Sequence, residues 1–230
     1  MPPPHQEPPK LGETVEAPKG IMGRIARTIV PVRYEVVCYE CEYAFQVSGQ
    51  IHETTCPKCR ARLKGGDYVI DKEWFQPIRT TGNVQFLPGA VLRGVDVTAK
   101  DISLAGSAEH GGLHACRRLE LWPGARFDIT KLRVKDLVVR RGARFILAQA
   151  IRCRNVEVEG ELNAIIFAEG LVTLRSGGLL AGEIDCARLF VEEGGGLEAH
   201  VCVGARSSAP SANVLVGIGR NHSLEIPGRN

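Results

Sequence analysis

Four cysteines carry the clearest chemistry in this sequence of 230 residues. They form two Cys-x-x-Cys pairs with fourteen residues between them: Cys38, Cys41, Cys56 and Cys59. Each pair can direct two thiolates at one ion, and a hairpin between the pairs completes a tetrahedral shell. Zinc accepts four thiolates without redox demands. The spacing therefore predicts a zinc ribbon over residues 30–66, with a structural Zn2+ and no open position for a catalytic water.

Other uses of two Cys-x-x-Cys pairs fit the sequence less well. Disulfides require an oxidising compartment, whereas the opening residues MPPPHQEPPK lack the basic start and apolar middle of a secretory signal. A redox-active pair normally occurs once, beside a βαβ pattern, and rubredoxin-type iron needs a differently spaced loop. His52 is expected at the surface because four thiolates already complete the shell. We expect a cytoplasmic protein whose ribbon is held by a metal ion.

A second pattern, repeated seven times, must form the framework that carries the ribbon. Each copy has an alternating apolar pair, one to three variable residues and a glycine. The copies end at glycines that are 17 or 18 residues apart, namely Gly89, Gly106, Gly124, Gly142, Gly160, Gly177 and Gly194. This period is too short for a helix plus a strand, but it fits three short strands and three bends. A β-sandwich would instead show turn signals about every 8 to 12 residues.

Parallel stacking of such coils gives a β-solenoid. Three strands form one triangular coil, and successive coils stack about 4.8 Å apart. We therefore predict an all-β protein in which a right-handed triangular parallel β-helix over residues 80–205 follows the ribbon. The pattern glycines are expected at bends that need a positive φ or a close backbone approach.

Three further cysteines are expected inside this β-helix. Each lies three residues before the first apolar residue of a pattern, at a place that Ala or Val holds in other copies. The residues at this place are Cys116, Cys153, Cys186, Ala99 and Val134. We predict that they share one small inward position. Cys116 and Cys153 would then be two coils or about 10 Å apart, too far for a disulfide. In the next-to-last copy the place falls on Glu169, which indicates either a shift of register there or an alignment of the copies that is displaced by one residue.

Composition assigns the remaining segments. Residues 1–20 contain six prolines and few apolar residues, which predicts a disordered tail. Residues 67–79 include an apolar cluster and are expected to be a linker or a cap on the first coil, and residues 206–230 are expected to be a C-terminal tail. No apolar run approaches the roughly eighteen residues of a membrane span. We expect no transmembrane segment, and the sequence does not favour membrane attachment.

Charge is segregated along the repeats although the net charge is only +3. Residues 117–154 carry eleven Lys or Arg and three acids, whereas residues 157–198 carry nine acids and two Arg. Such runs are ordinarily solvated faces, but opposite fields can also bring neighbouring molecules together or recruit an anionic partner. The basic residues beside the second cysteine pair, together with the basic run from Arg117 to Arg154, leave open a nucleic-acid-binding or protein-binding adaptor that does not polymerise. Beside the pair they are Lys58, Arg60, Arg62 and Lys64. The acids near the ribbon weigh against nucleic acid, and they are Glu35, Glu40, Glu42 and Glu53.

The repeat region from Thr80 to Ala205 resembles the bactofilins, which are bacterial cytoskeletal proteins built on a compact β-helix. Glycine and aliphatic spacing carries the resemblance, best in GGLLAGEIDCARLFVEEGGGLEAHV from Gly177 to Val201. The resemblance implies nucleotide-independent polymerisation, end to end, into non-polar filaments that serve as scaffolds. Two features depart from the family. The short apolar membrane-targeting start of many members is not matched, and the ribbon is an added module.

These observations predict a scaffold rather than an enzyme. An uncapped β-helix exposes strand edges that template another molecule. With the first coil capped, the last coil is the expected polymer contact, through Leu197, Val201 and Val203. No catalytic constellation is visible, because the histidines of the repeats lack a consistent acidic neighbour: His110, His114 and His200. The expected partners are the protein itself and further proteins bound through the ribbon or the tails.

Overall fold

A computed structural model describes residues 33–49, 52–128 and 131–204, and this part of the chain contains strands and no helix. Four strands form the ribbon: β1 (Arg33–Val37), β2 (Ala44–Ser48), β3 (Glu53–Thr55) and β4 (Arg62–Lys64). β1 pairs with β2 and β3 with β4, both antiparallel. The expectations for residues 1–20 and 206–230 lie outside the described residues.

The remaining strands form a parallel β-solenoid. They are β5 (Tyr68–Ile70), β6 (Glu73–Trp74), β7 (Ile78–Arg79), β8 (Asn83–Phe86), β9 (Val91–Arg93), β10 (Asp96–Leu104), β11 (Ser107–Glu109), β12 (Gly112–Leu121), β13 (Arg126–Asp128), β14 (Lys131–Val139), β15 (Arg144–Cys153), β16 (Asn155–Val158), β17 (Glu161–Leu174), β18 (Leu179–Val191) and β19 (Gly196–Val203). The prediction of an all-β parallel solenoid is confirmed.

Each coil contributes one strand segment to each of three faces, and the pairings between coils are parallel. The first face holds β5, β8, β16 and the last segments of β10, β12, β14, β17 and β18. The second face holds β6, β9, β11, β13 and the first segments of β15, β17, β18 and β19. The third face holds β7, the first segments of β10, β12 and β14, the middle segments of β17 and β18, and the last segments of β15 and β19. The eight coils span residues 68–79, 83–99, 101–115, 118–134, 136–153, 155–168, 171–186 and 188–203.

Inward side chains form continuous apolar ladders between these faces. On the first face Leu104, Leu121 and Val139 stand in register, and each is 0% exposed. Alternation places every second residue inside, and full burial of one such side chain stabilises the fold by about 2 kcal/mol. The inward residues of each coil are covered only by the two coils on either side of it.

The corner between the first and second faces has two forms, and both need glycine. In coil 4 the N–H of Ala125 donates to the carbonyl of Trp122 at 3.2 Å, and Gly124 between them has φ 81. Positive φ at the third position of a tight turn is typical of a type II turn. In coil 3 a Cβ on Gly106 would lie 2.3 Å from the carbonyl oxygen of Ala90. The two reasons expected for the pattern glycines are both present.

Residues 67–79, expected to be a linker or a cap, contain the first coil. β5 pairs with β8, β6 with β9 and β7 with β10. Ile70 and Ile78 point into the core and are 3% and 2% exposed, and Trp74 packs against the same core. The repeat is not visible in this part of the sequence because β6 and β7 have only two residues each.

The inward cysteine position is confirmed for two of the three cysteines of the repeats. Cys153 and Cys186 are buried in the solenoid core, and both stand in register with Ala168. Ala168 therefore holds the place that the sequence spacing gave to Glu169. β17 has one more residue than β18 between Ala168 and the next paired residue, and this bulge shifts the spacing by one.

The prediction is wrong for Cys116. In coil 3 the inward place belongs to Ala115, which stands in register with Ala99 and Val134. β12 carries two residues, Cys116 and Arg117, where β10 and β14 each carry one. A bulge of one residue reverses the face to which the following side chain points. Cys116 therefore leaves the solenoid core and is buried in the core of the ribbon.

Candidate metal centre

Two similar turns of the ribbon present the cysteine pairs. In the first, the N–H of Glu42 donates to the carbonyl of Cys38 at 2.8 Å, and in the second the N–H of Arg60 donates to the carbonyl of Cys56 at 2.9 Å. Glu42 and Arg60 have left-handed backbones, with φ 56 and 61. This conformation, uncommon for residues other than glycine, closes each turn so that both thiols point the same way.

The four thiol groups converge as predicted. All four Sγ atoms lie within 4.8 Å of one another. The Sγ atoms of Cys38 and Cys59 are 3.6 Å apart, and those of Cys41 and Cys56 are 3.7 Å apart. A disulfide would need about 2.05 Å, whereas four sulfurs at about 2.3 Å around one tetrahedral ion are about 3.8 Å apart. The donor set and spacing fit a single metal ion bound by four thiolates.

Ionisation of these thiols is uneven. Burial raises the pKa of the Cys38 thiol to about 12. Burial also opposes ionisation of Cys56, but the backbone N–H groups of Cys59 and Lys58 outweigh it and lower the pKa of Cys56 to about 7. A cation at the centre of the four sulfurs would favour the thiolate of Cys38 and release its proton.

Polar contacts attach the ribbon to the outer side of coils 1 to 3. The guanidinium of Arg79 donates to Glu40 Oε1 at 2.6 Å. The ammonium group of Lys100 donates to the carbonyl of Glu35 at 3.0 Å. His114 Nε2 lies 3.5 Å from Glu42 Oε1, an acidic neighbour that the local sequence of His114 does not reveal. The three ribbon residues lie within or close to the first cysteine pair, and their partners lie in coil 1, at the corner between coils 2 and 3, and in coil 3.

Apolar packing continues this attachment. The buried cluster of the ribbon contains two of the four converging cysteines, hydrophobic ribbon residues and one solenoid residue: Val36, Val37, Cys38, Tyr39, Cys56, Leu63 and Cys116. The Tyr39 hydroxyl donates to the carbonyl of Arg62 at 3.0 Å, and its ring lies 5.0 Å from the guanidinium carbon of Arg79. The metal centre and the third coil therefore share one small core.

Two buried threonines connect the end of the ribbon to the start of the solenoid. Thr80 and Thr81 are 1% and 6% exposed. The Thr80 hydroxyl donates to the carbonyl of Gly66 at 2.6 Å, and the N–H of Thr81 donates to the carbonyl of Lys64 at 2.9 Å. The sequence places a boundary near these residues, whereas the structure uses them to hold residues 64–66 against the first coils.

The three residues predicted as a polymer contact lie on the inward side of coil 8. Leu197 stands in register with Leu180, and Val203 with Cys186. Leu180 and Cys186 are 0% and 1% exposed, whereas Leu197 and Val203 are 38% and 55% exposed. Val201 is partly buried. The described residues place no strand beyond β19, so the last coil presents core-type side chains at the end of the solenoid.

Sequence reasoning missed several residues of this centre. Cys116 was assigned to the other core, and no local signal marks the bulge that redirects it. Arg79 and Lys100 reach the ribbon from positions 39 and 65 residues away from their partners, a pairing that no spacing rule predicts. The only available signal was their positive charge, which complements the glutamates around the first cysteine pair, Glu35, Glu40 and Glu42.

Comparison of the chain with protein-family models, with curated proteins and with solved structures found no match. Within the described part of the chain, no helix is long and apolar enough to cross a membrane. The function is therefore inferred from the geometry of the molecule itself.

Proposed function

We propose that this chain is a self-assembling scaffold whose solenoids join end to end through the last coil. One observation carries the proposal: the apolar ladders run on into coil 8 and are left uncovered there. Val191 is 40% exposed, whereas Leu174, its partner in coil 7, is 0% exposed. A further coil from a second molecule would cover these side chains as coil 8 covers those of coil 7.

The backbone supports the same contact. β19 pairs with β18 and with no other described strand, so its outer N–H and C=O groups are available to a strand of another molecule. Such an edge is a template for β-pairing unless charge, proline or a covering segment blocks it. The resemblance of the repeats to bactofilins points in the same direction. It adds the expectation of nucleotide-independent filaments with a cytoskeletal role.

The opposite end of the solenoid differs in a way that fits a cap. Ile70 and Ile78 belong to the first coil and are nevertheless buried. Trp74 packs against the solenoid core and meets Tyr68 edge-on at 6.4 Å between ring centroids. A covered end gains less from association than an uncovered end, because less apolar surface leaves water. We propose that coil 8 provides the stronger contact.

The ribbon would hold one zinc ion with Cys38, Cys41, Cys56 and Cys59. Zinc is proposed because it accepts a closed tetrahedral shell of thiolates and lends stability rather than redox chemistry. With four protein ligands no position is open to substrate, so the ion would stabilise the ribbon and its attachment to coils 1 to 3. No enzymatic step is proposed.

Electron microscopy of the purified zinc-loaded chain tests end-to-end assembly. We expect filaments in negative stain without added nucleotide. Leu197→Lys should abolish them, because a charge would be buried at each junction. Phe190→Lys is the matched control, since Phe190 lies in the same coil but points outward at 52% exposure. Monodisperse wild-type monomers across a range of salt and protein concentration would overturn the proposal.

A ribbon that recruits another macromolecule is the second candidate function. Tyr34 and Tyr43 are 46% and 43% exposed, and the ammonium group of Lys58 lies 5.8 Å from the Tyr43 ring centre. Exposed aromatics beside cations are suited to stacking on bases or to contacting a protein partner. Binding of single-stranded nucleic acid that weakens steeply with salt would favour this function. No binding at low salt would remove the nucleic-acid version.

A further inference from the structure

The outer surface of the third face changes charge along coils 4 to 8. One outward residue of each coil forms its central row, and neighbouring members from coil 5 onward are paired in register. In coil order the row reads Arg133, Arg152, Phe167, Asp185 and Cys202. The surface therefore begins basic, is apolar at coil 6 and becomes acidic at coil 7.

One flanking row repeats this order. Lys131 of coil 4, Ile165 of coil 6 and Glu183 of coil 7 point outward, and Ile165 is 36% exposed. The corner on the other side of the central row does not repeat it, since Lys135 and Arg154 follow coils 4 and 5 and Glu169 follows coil 6. The two rows thus present two cations in coil 4, one in coil 5 and two carboxylates in coil 7. We name residues 131–133, 152, 165–167 and 183–185 the graded surface.

We propose that the graded surface pairs with the graded surface of a second copy of this chain, with the two solenoids antiparallel. A two-fold axis that lies in the interface along the strand direction, between the Phe167 side chains of the two copies, places coil 5 of one copy opposite coil 7 of the other. Arg152 then faces the partner's Asp185. Each flanking row faces the same row of the second copy, so that Glu183 lies diagonally across from the partner's Arg152. The apolar residues of coil 6 meet at the centre, as in an isologous interface.

The two central charges of the graded surface, Arg152 and Asp185, are not already neutralised as those of the first face are. On the first face Arg140 bridges Glu120 and Glu159 at 2.8 and 3.1 Å. Among the described residues, no ion pair within 4.0 Å includes Arg152 or Asp185, and the Arg152 guanidinium instead lies 5.0 Å from the Phe167 ring centre. Like charges on neighbouring strands repel one another. An antiparallel partner would replace that repulsion with attraction.

A depression at the acidic end suits the side chains that the partner would bring. Phe167, Glu183, Asp185, His200 and Cys202 are among the residues that line it. Under the two-fold axis, Arg152 of the partner subunit lies over this depression. Its long side chain can enter the depression and form a bidentate pair with a carboxylate.

The ribbon fixes where the partner can lie. Its contacts with Arg79 and His114 place it against the third-face side of coils 1 and 3, which leaves coils 4 to 8 of this face open, with coil 6 at their middle. Five coils extend about 24 Å, and a face of this size would bury roughly 1,000 Å² in total, typical of weak or transient association. The pairing is therefore expected to be sensitive to salt.

Charge reversal tests the pairing without relying on the end contact. Full-length zinc-loaded chains carrying Leu197→Lys, which prevents end-to-end assembly in the scheme above, are studied by sedimentation velocity at about 0.05 M and about 1 M salt, where screening differs strongly. We expect a dimer at low salt and monomers at high salt. Arg152→Glu or Asp185→Arg alone should weaken dimerisation about tenfold or more.

The decisive arm mixes the two single variants. In a pair of Arg152→Glu chains, two carboxylates meet at each contact between positions 152 and 185 and repel each other. In a mixed pair of an Arg152→Glu chain with an Asp185→Arg chain, each of these contacts joins one cation and one carboxylate. The mixture should therefore dimerise at least as well as the parent chain. Arg126→Glu, on the exposed second face, is the control and should change nothing. Failure of the mixture to recover, or an equal effect of Arg126→Glu, would overturn the proposal. Filaments that persist in Leu197→Lys chains would argue against the proposed end contact but would not bear on the pairing of graded surfaces.

Discussion

Cys116 and Cys38 belong to the same buried cluster in the core of the ribbon, although the strand of Cys116 belongs to the solenoid. The bulge in β12 makes this contact possible by turning one side chain away from the solenoid core. A ribbon joined to the solenoid only through the connecting residues would share no core with coil 3. The metal centre and the first coils are consequently expected to lose and gain stability together.

Metal removal should loosen the first coils but not the last. Without an ion the four thiols no longer hold the two turns together, so the contacts of Glu40 with Arg79 and of Glu42 with His114 weaken. Hydrogen exchange of chelator-treated protein should accelerate in residues 33–66 and 78–116 and stay unchanged in residues 155–186. The metal content before treatment should be one ion per chain. A uniform acceleration would show that the ribbon does not stabilise particular coils.

Replacement of Cys116 should lower stability without releasing the metal. Cys116→Ser places a hydroxyl in an apolar cluster where the thiol is 2% exposed, which costs about 1 to 3 kcal/mol. Denaturant unfolding measures the change, and metal analysis should still give one ion per chain. Cys202→Ser, at a partly exposed thiol of the last coil, is the control and should have little effect. Loss of the ion in Cys116→Ser would instead make Cys116 part of the binding set.

The pattern glycines should tolerate alanine unequally. At Gly106 the new Cβ would meet the backbone oxygen of Ala90 at 2.3 Å, so the strands must separate and the cost should be about 2 kcal/mol or more. At Gly124 nothing lies within 4 Å and only the positive φ opposes a side chain, at about 1 kcal/mol. Thermal unfolding of the two variants gives the order. A larger loss for Gly124→Ala would contradict the close approach of coils 2 and 3.

Glycine at position 60 should strengthen the second turn. Arg60 has a φ of 61, and relief of this left-handed conformation is worth about 1 kcal/mol. Arg60→Gly should therefore retain zinc at higher chelator concentrations than the parent chain. Lys58→Gly is the comparison, because Lys58 does not have a positive φ and gains no such relief. Equal zinc retention in both variants would show that the turn is not strained.

Zinc affinity should rise with pH through the neutral range. In the metal-free ribbon the pKa of Cys38 is about 12, so this thiol is protonated at pH 7 and must lose its proton when the ion binds. Lower pH therefore opposes binding and higher pH favours it. Calorimetric titration in buffers of different ionisation enthalpy should show at least one proton released per zinc at pH 7. Binding without proton release would mean that Cys38 is not a ligand.

Local patterns were enough to predict which four thiols converge and the class of fold. A Cys-x-x-Cys turn brings its two thiols together within four residues, and two such turns joined by a hairpin need no distant partner to be recognised. The glycine period reports the length of one coil, because each coil repeats the same corner. Gly124 shows why such a corner leaves a mark in sequence: its backbone conformation is unfavourable for other residues.

Distant contacts and register were decided only by the tertiary structure. Residues 68–79 form a coil because their short strands pair with β8, β9 and β10, and two-residue strands leave no periodic signal. The destination of Cys116 depends on one extra residue in β12, and a single insertion moves a side chain from one core to another. The charged row through Arg152 and Asp185 depends on which residues face outward in coils far apart in sequence. The spacing of residues along the chain determines the length of each coil, whereas the stacking of coils determines which residues from distant parts of the sequence become neighbours.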